Sequence, residues 1–368
     1  MDSLTQLVLG SAIGVAVMGR RTAVWKSALW GGVAGTLPDL DALVDHGDAV
    51  LNMVLHRAET HALFYHLLAS FPLAWLVARL NGEMAQWRRW WLATLLVLTT
   101  HALLDAVTVY GTQLLLPFTD EAFGVGSLFI IDPAYSLPLL VGVGLALTGR
   151  HIGLQANRWG LVISTCYIGW SFMAQAWVTD HARESLARSG LQHERLLVTP
   201  APFSTILWRV LAVDGDTYHE GYYALLDRGR TIQFRSHDRG VGWLDLYAGH
   251  EQVQRIARFS DGFYRLRKQD GDLLLADLRM GQEPSYVFEF NIGPPPDSTP
   301  PSYPVATQIG ARGDIGVVLP WLRARLLGQD LPPLSDIIAQ HATPRSPIAS
   351  PTRPLDTPLP QTTLPRLP

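Results

Sequence analysis

Cysteine is all but missing. Cys166 is the single one in 368 residues, and it lies inside an apolar run. That excludes a disulfide framework and any cysteine-built zinc site, so a bound metal would have to be held by histidine and carboxylate. Charge is scarce as well. Charged residues make up 17% of the chain against 48% hydrophobic, and the net charge is −3. No basic field draws the chain as a whole to nucleic acid. The start, "MDSLTQLVLGSAIG", lacks a basic n-region, so a cleavable signal peptide is not expected there. No Walker lysine follows the glycine-rich stretches at 31–35 and 142–149. They read as glycines for close helix packing, not as phosphate loops.

What is present divides into two halves. Residues 1–180 are dominated by long apolar runs, and residues 181–330 are charged and soluble in character. Four runs, 62–80, 91–110, 127–147 and 159–178, reach the 17–25 residues that a membrane-spanning helix needs. Two shorter ones, 3–18 and 27–38, carry the small-residue patterns "GSAIG" and "GGVAG", which suit a tightly packed hairpin. Arg20, Arg21 and Lys26, then Arg88 and Arg89, then Arg150 and Arg158 fall in alternate connections. The positive-inside rule puts those connections in the cytoplasm. The N-terminus, the loops at 38–61 and 111–126 and everything after 178 then fall on the other side, the periplasm of a bacterium.

The expected fold class is mainly α: a polytopic helical membrane domain, followed by a small antiparallel β-rich (α+β) extramembrane domain and a disordered Pro-rich tail. Residues 1–180 form the membrane part, 181–195 a short polar connecting helix, 196–330 the β-rich part and 331–368 the tail. Strand–turn–strand patterns with Asp-Gly at the turn occur at 206–227 and 262–281, as β-hairpins require. The stretch "YVFEFNIG" reads as a further strand, 294–304 as a Pro-rich linker and 314–327 as a helix.

The apolar half also holds groups that hydrocarbon penalises. His101 and Asp105 stand four apart in the run at 91–110, with Thr108 on the same face. Asp39 and Asp41 follow Pro38; His56, Arg57 and His61 stand in "LHRAETHALFYH", where Thr60 could cap the next helix. Under the topology above, all lie near the outer ends of their spans. An ionisable side chain at the centre of a span costs about 2.5–3.5 kcal/mol on insertion scales, so it persists where partners or a metal compensate. Neutral imidazole with carboxylate is a ligand set for zinc, with manganese or iron as further options. Arg57 could clamp a phosphate or carboxylate in bidentate fashion. Each group also has a plainer reading. His101 and Asp105 could simply hydrogen-bond each other, Asp39 and Asp41 could cap a helix, and His66 could bond a neighbouring helix. Asp132 could start a helix before Pro133, and Gln6 and Gln113 could be hydrogen-bonders behind a site. His193, His219, His237 and His250 show no ligand spacing and are expected on the surface.

Taken in order, "MDSLTQLVLGSAIG", "GTLPDLDAL", "HRAETHAL", "THALLDAVTVYGTQLLLPF" and "IIDPAYSLPLL" resemble the bacterial inner-membrane YdjM-like proteins, usually labelled membrane-bound metal-dependent hydrolases. The resemblance covers about residues 1–180. It implies a helical domain in the inner membrane and a metal site from Asp39, Asp41, His56, Arg57, His61, His101 and Asp105. In that reading His56, His61, His101 and Asp105 are ligands. Asp39 and Asp41 are ligands or the general base, and Arg57 is the oxyanion clamp. Two positions depart from the family pattern. Thr5-Gln6 stands where many relatives have Thr-His, so no ligand is available there, and Glu59 adds an acid beside the site. The implied activity is hydrolysis of a phosphoester or other bond in a lipid-associated or periplasmic substrate. The alternative is a non-catalytic membrane anchor or metal-binding protein whose β domain binds a periplasmic partner.

Overall fold

The computed structural model describes residues 1–149, 152–247, 249–294, 304–310 and 314–341. The expected linker at 294–304, apart from its end residues, and the tail beyond 341 lie outside the described residues, as does Arg150.

The first half is built from helical hairpins. Helix α1 (Ser3–Met18) starts at Asp2, whose carboxylate accepts from the Thr5 N–H at 3.0 Å. It packs along α2 (Val24–Thr36) through glycines. A Cβ built on Gly35 would lie 2.6 Å from the Gln6 carbonyl oxygen, so the two backbones touch as only small residues permit. Pro38 then turns the chain into a single 3-10 turn, Pro38–Leu43, and a short helix α3 (Ala49–Leu55) follows. Helices α4 (Leu63–Leu80) and α5 (Trp87–Val107) form the second hairpin. The third joins α6 (Pro133–Leu147) to α7 (Gly153–Arg188). Among the described residues, Leu63–Leu80, Met84–Val107 and Gly153–Arg188 are long and apolar enough to cross a membrane, while α1 and α6 are shorter apolar helices. At 1.5 Å per residue the 21 residues of α5 cover about 30 Å, the depth of a bilayer core.

Three local expectations change. The run at 127–147 is helical only from Pro133, because Asp132 caps the Ala134 N–H at 2.9 Å and proline takes the first helical position. Thr60 caps no helix; α4 starts from Ala62, and the Thr60 hydroxyl is spent on Asp41. The polar stretch after the last span is not a separate helix. Nothing between Gly169 and Gly190 breaks α7, which runs on through Arg188 and stops where Gly190 adopts φ +68°.

The second half holds two four-stranded antiparallel sheets. One has the order β1 (Arg195–Pro200), β2 (Leu207–Asp214), β3 (Thr217–Ala224), β4 (Arg235–Asp238). The other has the order β10 (Thr307–Gln308), β9 (Glu289–Asn291), β6 (Asp272–Asp277), β5 (Tyr264–Gln269). A small hairpin, β7 (Gly281–Gln282) and β8 (Ser285–Tyr286), stands beside them. Asp270 and Gly271 close the β5–β6 hairpin at φ +53° and +95°, the pair of positive angles that a two-residue type I′ turn needs. Helix α8 (Glu251–Phe259) precedes β5. Helices α9 (Ile315–Leu326) and α10 (Leu334–His341) pack on the first sheet through Trp321, Leu322 and Leu334, so ordered structure continues past residue 331. Two histidines expected on the surface are buried. His219 meets the Ser236 hydroxyl at 2.8 Å, and His250 caps α8.

The β-rich part is seated on the bundle at two places. Ala174, Val178 and Ala182 of α7 pack under Val198, Trp208 and Tyr223 of the first sheet. Val50, Met53, Val54 and Tyr110 pack against Val253, Ile256 and Phe259 of α8 and against Phe290 of β9. The second contact covers the end of the bundle where α5 stops and α4 begins.

Candidate metal centre

Four side chains from three segments converge under that cover. Asp39 comes from the 3-10 turn after α2, His61 from the turn before α4, and His101 and Asp105 from one face of α5. One ligand atom from each lies within 4.8 Å of the others. His61 Nε2 and His101 Nε2 are 3.1 Å apart. Asp105 Oδ2 stands 3.2 Å from the first and 3.4 Å from the second. Asp39 Oδ1 stands 3.6 Å and 3.5 Å from them. Asp39 Oδ2 and Asp105 Oδ2 are buried with no hydrogen-bond donor.

The outer nitrogens of the two rings are tied down. His101 Nδ1 lies 2.8 Å from the Gly35 carbonyl oxygen, which can only accept, so that nitrogen carries the proton. His61 Nδ1 faces Thr60 Oγ1 at 2.9 Å, and the Thr60 hydroxyl itself donates to Asp41 Oδ2 at 2.6 Å. His61 Nδ1 therefore donates as well. Both neutral rings present bare Nε2 lone pairs to one point, beside two carboxylate oxygens. Such an arrangement repels itself until a proton or a cation enters. Burial alone would lower the His61 pKa, but the hydrogen bonds to Asp105, Asp39 and Asp41 raise it to about 9. Burial would likewise raise the Asp39 carboxyl, yet the bonds from His101 and His61 hold it well below the usual range. The donor set fits a divalent ion of the zinc class: imidazole nitrogens and carboxylate oxygens, with the far ring nitrogens fixed by oxygen acceptors.

The other residues singled out in the sequence stand around these four. Asp41 accepts from His56 Nδ1 at 2.8 Å, from the Arg57 backbone N–H at 3.0 Å and from Thr60. These bonds hold its carboxyl far below the usual range although burial acts the other way. His56 is half-buried at the rim, with its ring edge on Tyr110. Arg57 is buried behind Asp105. Its Nε lies 3.5 Å from Asp105 Oδ2, its Nη1 donates to Thr108 Oγ1 at 3.2 Å, and its guanidinium lies 4.7 Å over the Tyr110 ring. Glu59 is exposed. Gln6 donates to Asp105 Oδ1 at 3.1 Å, and the Met1 amino group also meets that oxygen. His66 bonds the Thr60 carbonyl oxygen at 2.7 Å.

Gly35 is the participant that the residue types did not suggest. Its carbonyl reaches His101 only because the α1–α2 hairpin is glycine-lined, and the run "GGVAG" was the signal for that approach.

The comparisons with known proteins agree with this half of the chain. The uncharacterized protein YfhP of Bacillus subtilis (strain 168) is 27% identical over 160 residues, which are 42% of this chain and 49% of that protein. The chain thus spans about half the length of the curated relative it matches. No solved structure matches it. The match to a family is the YdjM inner membrane protein, over residues 1–178, the stretch that carries all four converging side chains and the three candidate spans, the last as far as residue 178 of α7. The helical half of the chain, residues 1–178, thus matches the model of the YdjM inner membrane protein family.

Proposed function

We propose that Asp39, His61, His101 and Asp105 hold one divalent cation, zinc by preference, and that the protein is a membrane-embedded hydrolase of a lipid-associated substrate. The observation that carries the reading is the facing pair of imidazole lone pairs at 3.1 Å, flanked by two acid oxygens. Zinc bonds of about 2.0–2.2 Å in a tetrahedron place neighbouring ligand atoms about 3.3–3.6 Å apart. The separations of 3.1, 3.2, 3.4, 3.5 and 3.6 Å run from just below that range to its upper end.

A divalent cation held there supplies Lewis acidity, polarising an ester or phosphoryl oxygen and acidifying water. The chain's own groups do the rest. Gly35, Thr60 and Asp41 fix the two rings so that Nε2 points inward. Arg57, Gln6 and Thr108 hold Asp105. His56, oriented through Nδ1 by Asp41, is the group at the rim placed to pass a proton. In this reading Asp41 and Arg57 act by orienting ligands. Metal analysis of the purified full chain tests the centre. We expect about one zinc per chain, lost in His101→Ala and in Asp105→Ala; a chain with no stoichiometric ion sinks the reading.

One observation favours a second reading. Four protein ligands is the number found in closed, structural zinc sites, whereas catalytic ones keep a position open. Asp39 decides between the two. In the catalytic reading Asp39→Ala keeps its metal on three ligands and changes the rate of ester or phosphoester hydrolysis. In the structural reading the metal loosens, thermal stability falls and no hydrolysis is found in either protein.

A further inference from the structure

The turn that supplies Asp39 has an apolar outer edge with no packing partner among the described residues. Asp39 and Asp41 point in to the imidazoles, while Leu40, Leu43 and Val44 are exposed, Leu43 at 83%. That edge continues the outer face of α2, where Leu29 and Val33 are exposed. Positions 29, 33 and 37 follow helical spacing and share one side, and Leu40 follows in the 3-10 segment beyond α2. The opposite side of α2 is packed on α1 through Gly31 and Gly35, so the exposed stripe faces away from that contact, where a bilayer's hydrocarbon would meet it. Acyl chains over that stripe would extend to the residue next to a ligand.

The exposure of the ligands agrees. The Asp39 side chain is 15% exposed, while those of His61, His101 and Asp105 are at 0–1%. From the aqueous side the centre is roofed. The Tyr110 ring, stacked against the Arg57 guanidinium, is closed by Phe259 at 5.8 Å and Phe288 at 5.6 Å. The reachable side is thus the side of Asp39 and its exposed apolar edge.

We propose that the substrate reaches the centre sideways, from the leaflet on the β-domain side, as a phosphate-bearing amphiphile. Its head meets the centre at Asp39, and its chain lies along Leu40, Leu43, Val44 and the α2 stripe. The proposal rests on the reading of the four ligands as a metal centre. An anionic oxygen is what a divalent cation attracts, and phosphate is a group that supplies it within a leaflet.

The test uses the full chain loaded with Mn(II) and read by pulsed electron paramagnetic resonance for coupling to phosphorus-31. Three arms are compared: phosphatidylglycerol nanodiscs, dodecyl maltoside alone, and dodecyl maltoside with inorganic phosphate. We expect coupling in nanodiscs, none in maltoside alone, and loss of the nanodisc coupling in Leu40→Gln/Leu43→Gln with manganese content unchanged. The conservative Leu43→Met keeps the coupling. Coupling from inorganic phosphate with none from nanodiscs overturns the lipid route in favour of a soluble anion. Nanodisc coupling untouched by the double substitution overturns the portal. A manganese-loaded centre without any phosphorus coupling overturns this proposal alone, whereas a chain that takes up no manganese overturns the metal centre with it.

Discussion

At the scale of single residues, the side chains behind the four converging groups would set how well the proposed centre holds an ion. Asp41 touches no shared ligand point but takes hydrogen bonds from His56, Arg57 and Thr60, and through Thr60 it fixes His61. Asp41→Asn keeps the shape and removes the charge. Substitutions at such positions weaken metal affinity by about 10–100-fold, and competition with a chelator of known affinity measures it. An unchanged affinity would mean that Asp41 has no hold on His61. His250 permits a prediction about pH. Its Nδ1 accepts from the Gln252 N–H at 3.2 Å at the start of α8, a bond that a proton on that atom destroys. Burial also lowers its pKa. The unfolded state therefore binds the proton more readily than the folded one. The contribution is complete above an unfolded pKa of about 6.5 and is lost as pH falls below it. Melting temperatures between pH 7.5 and 5.5 should fall more steeply for the native chain than for His250→Ser, which keeps a capping oxygen without the titration. Parallel curves would count against it.

At the scale of elements, the α1–α2 hairpin reaches the converging side chains directly. It brings the Gly35 carbonyl to His101 and the Gln6 amide to Asp105. Gly35→Val would drive a side chain into the Gln6 carbonyl, which a Cβ already approaches to 2.6 Å. Overpacking of this kind costs about 1–3 kcal/mol. We expect lower thermal stability and weaker metal retention together, because both contacts shift when the helices part. Stability loss with full metal retention would show that the hairpin and the centre are independent. The spans and hairpins were legible because hydropathy and glycine spacing act along the sequence: 62–80 and 91–110 map onto α4 and α5 within a few residues at most ends. The helix start at Pro133 and the uninterrupted α7 were not, because a cap and the absence of a breaker outweigh average hydropathy. Residue type and the order of motifs likewise marked seven polar residues for one site. Which four converge depends on the 3-10 turn after Pro38 and on the turn before α4, whose geometry has no sequence period. The burial of His219 and His250 was invisible for the same reason: each depends on partners distant in sequence or on a fold not yet formed.

At the scale of the whole molecule, the two halves share a core. Ile256 of α8 is fully buried among Val50, Met53 and Tyr110 from the bundle side and Leu275 and Phe290 from the second sheet. Tyr110 in turn donates to the Met53 carbonyl at 2.7 Å and lies under the Arg57 guanidinium. A cavity here should therefore be felt in both halves. Ile256→Ala removes buried carbons at a cost of about 2–5 kcal/mol. Because the ligands themselves come from α5 and two turns below the cover, metal content should hold. Hydrogen exchange of the full chain separates the cases. If the β-rich part is a roof bonded to the bundle, amides in α8 and in residues 50–57 gain exchange together, while those of α5 around His101 stay slow. If only α8 loosens and residues 50–57 stay protected, the two halves open independently, and cover over the centre would have to be credited to the bundle's own loops.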